Sequence, residues 1–198
     1  MTTVTCNIST SVDGFVAGPR QSLQNPIGEG GARLHEWHLE PEDADLAVID
    51  GWQSTPGAYV MGRNMFGPGR GEWDLDWRGW WGDEPPYHAP VFVLTHHARD
   101  PLAMDGGTTF SFVTEGPDVA LEQAKAAAGG KSVEIAGGAS TINAYLQAGA
   151  INELHMHIAP MVLGVGERLF AGVSADLRLE PVQAISSPRV THITYRVG

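Results

Sequence analysis

Apolar and polar positions change period along this chain of 198 residues, and the changes mark its elements. From Thr3 to Ser11, Val4, Cys6 and Ile8 alternate with small polar residues, which predicts a strand ended by the Asp13-Gly14 turn. Gly18 to Gly31 is rich in Gly, Pro, Asn and Gln and predicts a loop. Pro41-Glu42-Asp43 opens a helix to about Gln53, because proline and acidic side chains suit the free N–H groups of a first turn. Gly57 to Met61 is a short strand running into Gly62-Arg63. Val91-Phe92-Val93-Leu94 is an unbroken apolar run, as a strand covered on both faces would be, and Phe110 to Val113 adds another. Asp118 to Ala128 predicts a helix closed by Gly129-Gly130. Val133 to Ala136 is a strand, after which Gly137-Gly138 opens a helix through Gln147. Glu153 to Ala159 alternates again. Leu177 to Ala184 and Val190 to Val197, joined by Ser186-Ser187-Pro188, predict a closing antiparallel hairpin.

Strands that alternate with helices predict an α/β fold, a three-layer arrangement with a mostly parallel central sheet. Residues 1–198 form a single domain in this reading, with no repeat and no linker. One segment fits neither period. Gly67 to Pro90 is long and irregular and carries Trp73, Trp77, Trp80, Trp81 and Tyr87, and loops of that length are usually functional. Its tryptophans either wall a pocket for a planar heterocycle by stacking, or pack beneath the loop or in a subunit interface.

Charge narrows the functional classes. Twelve basic against 23 acidic residues leave a net charge of −11, a surface that repels phosphate backbones and anionic lipid, so no nucleic-acid or membrane partner is expected. A phosphorylated cofactor remains admissible, since a few local donors outweigh a distant negative field. Cys6 is the one cysteine, so no internal disulfide forms. The opening MTTVTCNIST has no basic head or apolar run, and the apolar stretch around Ile158 to Val165 is interrupted by Pro160 and Gly164. A cytoplasmic protein is expected.

Two places read strand, glycine, helix: Ala58 to Met61 into Gly62-Arg63-Asn64, and Val133 to Ala136 into Gly137-Gly138-Ala139-Ser140-Thr141. Glycine lets a phosphate oxygen reach the backbone, and a helix start offers free N–H groups. Ser140 and Thr141 add hydroxyls, and Arg63 adds a bidentate clamp. Each turn also serves plain chain reversal, and neither is a GxGxxG or Walker motif.

In order along the chain stand Ser11-Val12-Asp13-Gly14-Phe15-Val16-Ala17, Met61-Gly62-Arg63-Asn64-Met65-Phe66, Val93-Leu94-Thr95-His96 and Ile135-Ala136-Gly137-Gly138-Ala139. His157-Ile158-Ala159-Pro160 and Gly164-Val165-Gly166-Glu167-Arg168-Leu169-Phe170 follow. Together they resemble the dihydrofolate reductase-like family that includes the C-terminal reductase domain of the bifunctional riboflavin-biosynthesis deaminase-reductase. The resemblance implies NADPH as cofactor and a homodimer. It implies Gly62, Arg63 and Asn64 at the adenosine-side phosphates and Thr95 and His96 near the 2′-phosphate. It further implies Gly137, Gly138, Ala139, Ser140 and Thr141 around the pyrophosphate, with Val16 and Ala17 bordering the nicotinamide. Two positions depart from the pattern. Dihydrofolate reductases carry an acid on the first helix, where this chain reads Leu34-His35-Glu36-Trp37. The riboflavin-pathway reductases have lysine after the Asp-Gly pair, where this chain has Phe15.

Hydride transfer asks the protein for positioning, exclusion of water and a proton. Asp13, His35 and Glu36 are the candidate donors, each equally able to be a turn, surface or packing residue. The resulting expectation is an NADPH-dependent reductase of a small, planar pterin-like or pyrimidine-like C=N or C=O substrate. A nucleotide-binding protein without catalysis is the first alternative. The second, a metal-dependent hydrolase, would need His155 and His157, on one strand face, to meet His96 and His97; no metal is expected.

Overall fold

The computed structural model describes residues 2–52, 56–67 and 69–198. The sheet is nine-stranded. Its parallel centre is built from β1 (Val4–Ser11), β3 (Ala58–Gly62), β4 (Pro90–Leu94), β6 (Thr109–Val113), β7 (Val133–Gly137) and β8 (Glu153–Ala159). β5 (Leu102–Ala103) and the closing hairpin of β10 (Leu179–Ser186) and β11 (Thr191–Val197) are antiparallel edges. The spatial order is β10-β11-β8-β1-β7-β3-β4-β6-β5. The mostly parallel α/β sheet expected from the sequence is therefore present, and its fold is dihydrofolate reductase-like.

Strand order and burial explain each other. Val91 and Val93 are fully buried on the strand that reads as an unbroken apolar run, because both of its faces are covered. On one face, Val4, Cys6, Val60 and Ile135 pack under α4 (Pro117–Ala127) and α5 (Ala139–Gln147), which contribute Ala120, Leu121, Ala124, Ile142 and Leu146. On the other, Tyr59, Met61, Val91, Val93 and Phe110 meet Phe66 of α3 (Arg63–Phe66) and the partly buried Trp73, Trp77 and Trp81. Beside the single turn of α3, α1 (Glu36–Leu39) and α2 (Asp43–Trp52) cover that second face toward β1, β8 and β11.

Several elements differ from the sequence reading in extent. The first α-helix is a single turn, preceded by a 3-10 turn over Gly31–His35; together they bury Leu34 and Trp37, spaced three apart. Too few apolar positions recur there to signal a helix. β2 (Phe15–Ala17) and β9 (Glu167–Arg168) form a separate two-stranded ribbon. The hairpin's first strand starts at Leu179, because Leu177 closes a turn onto the Ser174 carbonyl. The expected end of α2 at Gln53 lies outside the described residues. Among the described residues, no helix is long and apolar enough to cross a membrane.

Candidate active site

In an open parallel sheet, a crevice forms beyond the carboxyl ends of the strands where the strand order reverses. Here the chain runs outward from β1 through β3, β4 and β6, then returns to insert β7 between β1 and β3. The carboxyl ends at this point are Ser11, Gly62 and Gly137. Two cavities open from it. One, of about 860 Å³, lies along the face shared by Asn7, Tyr59 and Glu134. The other, of about 410 Å³, lies beyond Gly62, Thr95 and Ser140. Asn64 and Gly138 line both, so the two are arms of one cleft.

The small arm is built from backbone and cations. Gly62, Arg63, Asn64, Thr95, His96, Gly138, Ser140 and Thr141 all line it, together with Arg70 and His97. A Cβ on Gly62 would stand 2.5 Å from Thr141 Oγ1, so glycine there lets β3 close against the start of α5. A Cβ on Gly138 would meet no atom within 4 Å; it would project into open space on the wall shared by the two arms. Gly138 caps α5 without a side-chain hydrogen bond, which leaves first-turn N–H groups for a ligand. Arg63 lies with its Cζ 3.8 Å from the Trp73 ring centroid, donates to the Glu72 carbonyl at 3.2 Å, and keeps a buried Nε with no hydrogen-bond partner. Thr95 Oγ1 accepts the His97 N–H at 3.1 Å, and Trp73 Nε1 donates to the His97 carbonyl at 2.7 Å. A glycine cradle, a free helix start and two guanidinium groups fit the pyrophosphate and adenosine phosphate of NADPH. Since α3 is one turn, Arg63 contributes there through its side chain rather than through a helix dipole.

The large arm is built from side chains. Two polar rows cross the sheet on this face. His192, His157 and Ser9 are register partners on β11, β8 and β1. Asn7, Glu134 and Tyr59 follow on β1, β7 and β3, with Tyr59 and Glu134 directly paired. Asn7 Nδ2 donates to Glu134 Oε2 at 2.9 Å. Burial pushes the Glu134 carboxyl up to about 7, against the opposing Asn7 hydrogen bond, because a carboxylate loses hydration there. In the other row, His192 bridges Asp45 at 3.0 Å and His157 at 2.8 Å, and Trp37 packs on both rings while donating to Ser9 Oγ at 3.2 Å. Burial, then the neighbouring imidazoles, hold His157 down at about 3. Burial also acts to raise Asp45, but the Glu42 N–H, His192 and Ser187 outweigh it and keep the carboxylate below its usual range.

The sequence-predicted residues separate cleanly on this map. Val16, Ala17, Asn64, Gly137, Gly138 and Ala139 line the large arm around the junction. His35 lines it too, with burial and then His38 lowering its pKa. Asp13 and Glu36 are not brought to either arm. The Asp13 carboxylate accepts from Ser11 Oγ at 2.6 Å, Leu163 N at 3.1 Å and Gly164 N at 2.7 Å, pinning the loops after β1 and β8 together. The Ser11 hydroxyl foremost, opposed by partial desolvation and aided by those N–H groups, holds it down at about 2. Such a carboxylate keeps no proton to give. The tryptophans divide between the two roles expected of them: Trp80 and Trp81 wall the large arm, while Trp77 anchors the loop by donating to the Phe66 carbonyl at 2.9 Å and Trp73 stacks under Arg63. The histidines do not assemble; His155 pairs with exposed Glu153 at 3.3 Å, His157 with His192, and His96 and His97 line the small arm. Among the described residues, no group of three or more His, Cys, Asp or Glu side chains stands close enough to hold a metal.

Glu134, Asn7, Ser9 and Tyr59 are the site residues that sequence reasoning missed. The available signal was a polar side chain inside an apolar strand, Val133-Glu134-Ile135, where burial makes a carboxylate costly unless it is used.

Fold and cleft define a dihydrofolate reductase-like α/β domain with a dinucleotide-sized crevice. The chain belongs to the RibD C-terminal domain family, whose profile matches residues 2–192. A Shewanella sp. PV-4 protein described as a riboflavin biosynthesis protein is similar in structure, with a TM-score of 0.64 at 24% identity over 100% of this chain and 99% of that one. A pyrimidine reductase-like protein of Corynebacterium diphtheriae follows at 0.60 and 16%, over 100% and 92%. The Thermotoga maritima diaminohydroxyphosphoribosylaminopyrimidine deaminase/5-amino-6-(5-phosphoribosylamino)uracil reductase gives 0.61 and 13%, with this chain spanning 57% of its length. At these identities the likeness concerns the fold. No curated protein sequence matches the chain.

Proposed function

We propose that this protein is an NADPH-dependent reductase acting on a small, planar C=N or C=O substrate of pterin-like or pyrimidine-like shape. One observation carries the reading: every residue expected at the cofactor lines a single continuous cleft, whose two arms meet at Asn64 and Gly138. When bound, NADPH supplies the hydride. The chain's own work is to grip the phosphates through Gly137, the start of α5 and Arg63, to hold the nicotinamide against Val16 and Ala17, and to exclude water behind Trp80 and Trp81. Glu134, protonated below about pH 7, gives the wall a proton-holding group, which favours catalysis over nucleotide binding alone. Membership of a reductase-like family supports the same reading.

The test is a titration with NADPH followed by nicotinamide fluorescence, then NADPH oxidation with pterin, pyrimidine, quinone and imine acceptors. Saturable binding and oxidation above a protein-free control are expected. Absence of binding at high micromolar cofactor rejects the reductase, and binding with no oxidation across the panel favours a non-catalytic nucleotide-binding protein.

A further inference from the structure

The large arm has a chemical character of its own. Among the described residues, no lysine or arginine lines it, whereas Glu134 and Glu167 do. Arg168, next to the lining residue Glu167, is engaged elsewhere: its Cζ sits 4.3 Å from the Phe15 ring centroid and it donates to the Asp13 carbonyl at 3.2 Å. A phosphate ester would therefore enter this arm with no lysine or arginine to pair with and facing carboxyl groups, an unfavourable desolvation. A flat, uncharged ring would instead find Trp80, Trp81 and Tyr87 on the wall.

At the floor, one pair of polar groups is incompletely used. Asn7 spends its Nδ2 on Glu134 Oε2 at 2.9 Å, and Asn7 Oδ1 is buried with no hydrogen-bond partner. A buried acceptor left without a donor is costly, and a ligand that supplies the donor recovers that cost. Glu134 Oε1 stands free of the Asn7 contact. A protonated carboxyl next to an amide oxygen thus offers one donor beside one acceptor. The complementary ligand edge is N=C–N–H, a ring nitrogen that accepts next to an N–H that donates.

We propose that Glu134 and Asn7 hold the N=C–N–H edge of an uncharged planar heterocycle that carries no phosphate, and so set the substrate class of this site. The proposal rests on the reductase reading for its setting, but it concerns β1 and β7 side chains rather than the cofactor arm. Tyr59 on β3 and Tyr87 on the tryptophan segment are the ionisable tyrosines on the Glu134 side of the sheet, and Cys6 on β1 lies against the opposite face. Burial, aided by Glu134 itself, raises all three, Tyr59 to about 12, so Glu134 is the group among them that titrates near neutrality. His157 and His35 are held low by burial, and His38, His88 and Glu167 complete the ionisable wall.

The experiment uses the full chain saturated with NADPH and follows ligand binding by quenching of tryptophan fluorescence. Pterin carries the N=C–N–H edge; 1-methyllumazine has an oxygen in place of the 2-amino group and a methyl in place of the N1 proton, so it carries no such edge; 6-(phosphooxymethyl)pterin adds a phosphate. Wild type is expected to bind pterin about tenfold or more tighter than either of the other two, the size of one lost hydrogen bond. Pterin binding should weaken as pH rises through about 7, where Glu134 ionises. Glu134→Leu should lose about tenfold or more in pterin affinity. Glu134→Gln, whose amide keeps a donor at every pH, should retain pterin binding and lose its pH dependence. Equal binding of pterin and 1-methyllumazine, tighter binding of the phosphate, or unchanged affinity in Glu134→Leu overturns the proposal. NADPH affinity is expected to be the same in all three proteins, so these failures leave the reductase reading standing. Failure of wild type to bind NADPH removes that reading instead.

Discussion

The two arms of the cleft meet at one glycine yet are built on opposite principles. The small arm is made largely of backbone: the ends of β3, β4 and β6, a glycine pair and the uncapped start of α5. The large arm is made largely of side chains, several of which stand on different strands and become neighbours only through the sheet, as Asn7 and Glu134 do across 127 residues of chain. A backbone-built arm can serve any chain that keeps its turns and so suits a shared cofactor. A side-chain-built arm can change its substrate with a few substitutions on an unaltered sheet.

The comparison can be broken first at Trp37. Its ring is buried and covers His157 and His192, and its Nε1 bonds Ser9. Trp37→Ala is expected to cost about 3–5 kcal/mol of folding stability and to damage the large arm. NADPH affinity measured on the folded fraction should stay near wild type. Urea unfolding alongside a cofactor titration checks this, and an equal loss of NADPH binding would mean that the arms are not separable.

The converse substitution is Arg63→Ala. A lost charge-assisted contact is worth about 1.5–3 kcal/mol, so NADPH should weaken about tenfold to a hundredfold while NADH, lacking the extra phosphate, changes far less. Equal weakening of both would show that Arg63 does not read that phosphate.

The smallest effect divides the large arm itself. His157 is ordinarily near 6.5 and is held at about 3, so it stabilises the native state above pH 6.5 and this contribution fades as pH falls toward 3. Glu134 is ordinarily near 4.5 and is raised to about 7, so its contribution is present below pH 4.5 and fades as pH rises toward 7. Between about pH 4.5 and 6.5 the two slopes oppose each other, each at most about 1.4 kcal/mol per pH unit. Relative to wild type, His157→Gln should become less stable with rising pH in that window and Glu134→Gln more stable. Denaturant midpoints across the window test this, and two variants running parallel to wild type would contradict it.

The same contrast explains what could be read from the amino-acid sequence. The parallel sheet, its closing hairpin and the turns of the small arm were legible because they depend on local signals: apolar runs such as Val91 to Leu94, and glycines placed directly after strands. The large arm was not. Glu134 looks like one charged residue in a short strand until β1 and β3 bring Asn7 and Tyr59 beside it. Asp13 shows the opposite limit, since its position in a turn was plain but its bonds to Leu163 and Gly164 come from 150 and 151 residues away. The single turn of α1 escaped because so short an element carries no period to detect.

Gly138 offers the most direct measurement. Its φ is −80°, and a Cβ there meets no atom within 4 Å beyond its chain neighbours, so Gly138→Ala directs its methyl into ligand space. Wild type and Gly138→Ala are titrated with NADPH by nicotinamide fluorescence, with thermal unfolding as the control. Saturable wild-type binding, weakened about fivefold or more in Gly138→Ala through overpacking of about 1–3 kcal/mol at an unchanged unfolding midpoint, is the predicted result. Identical titration curves for the two proteins would contradict a dinucleotide seated at the junction of the arms.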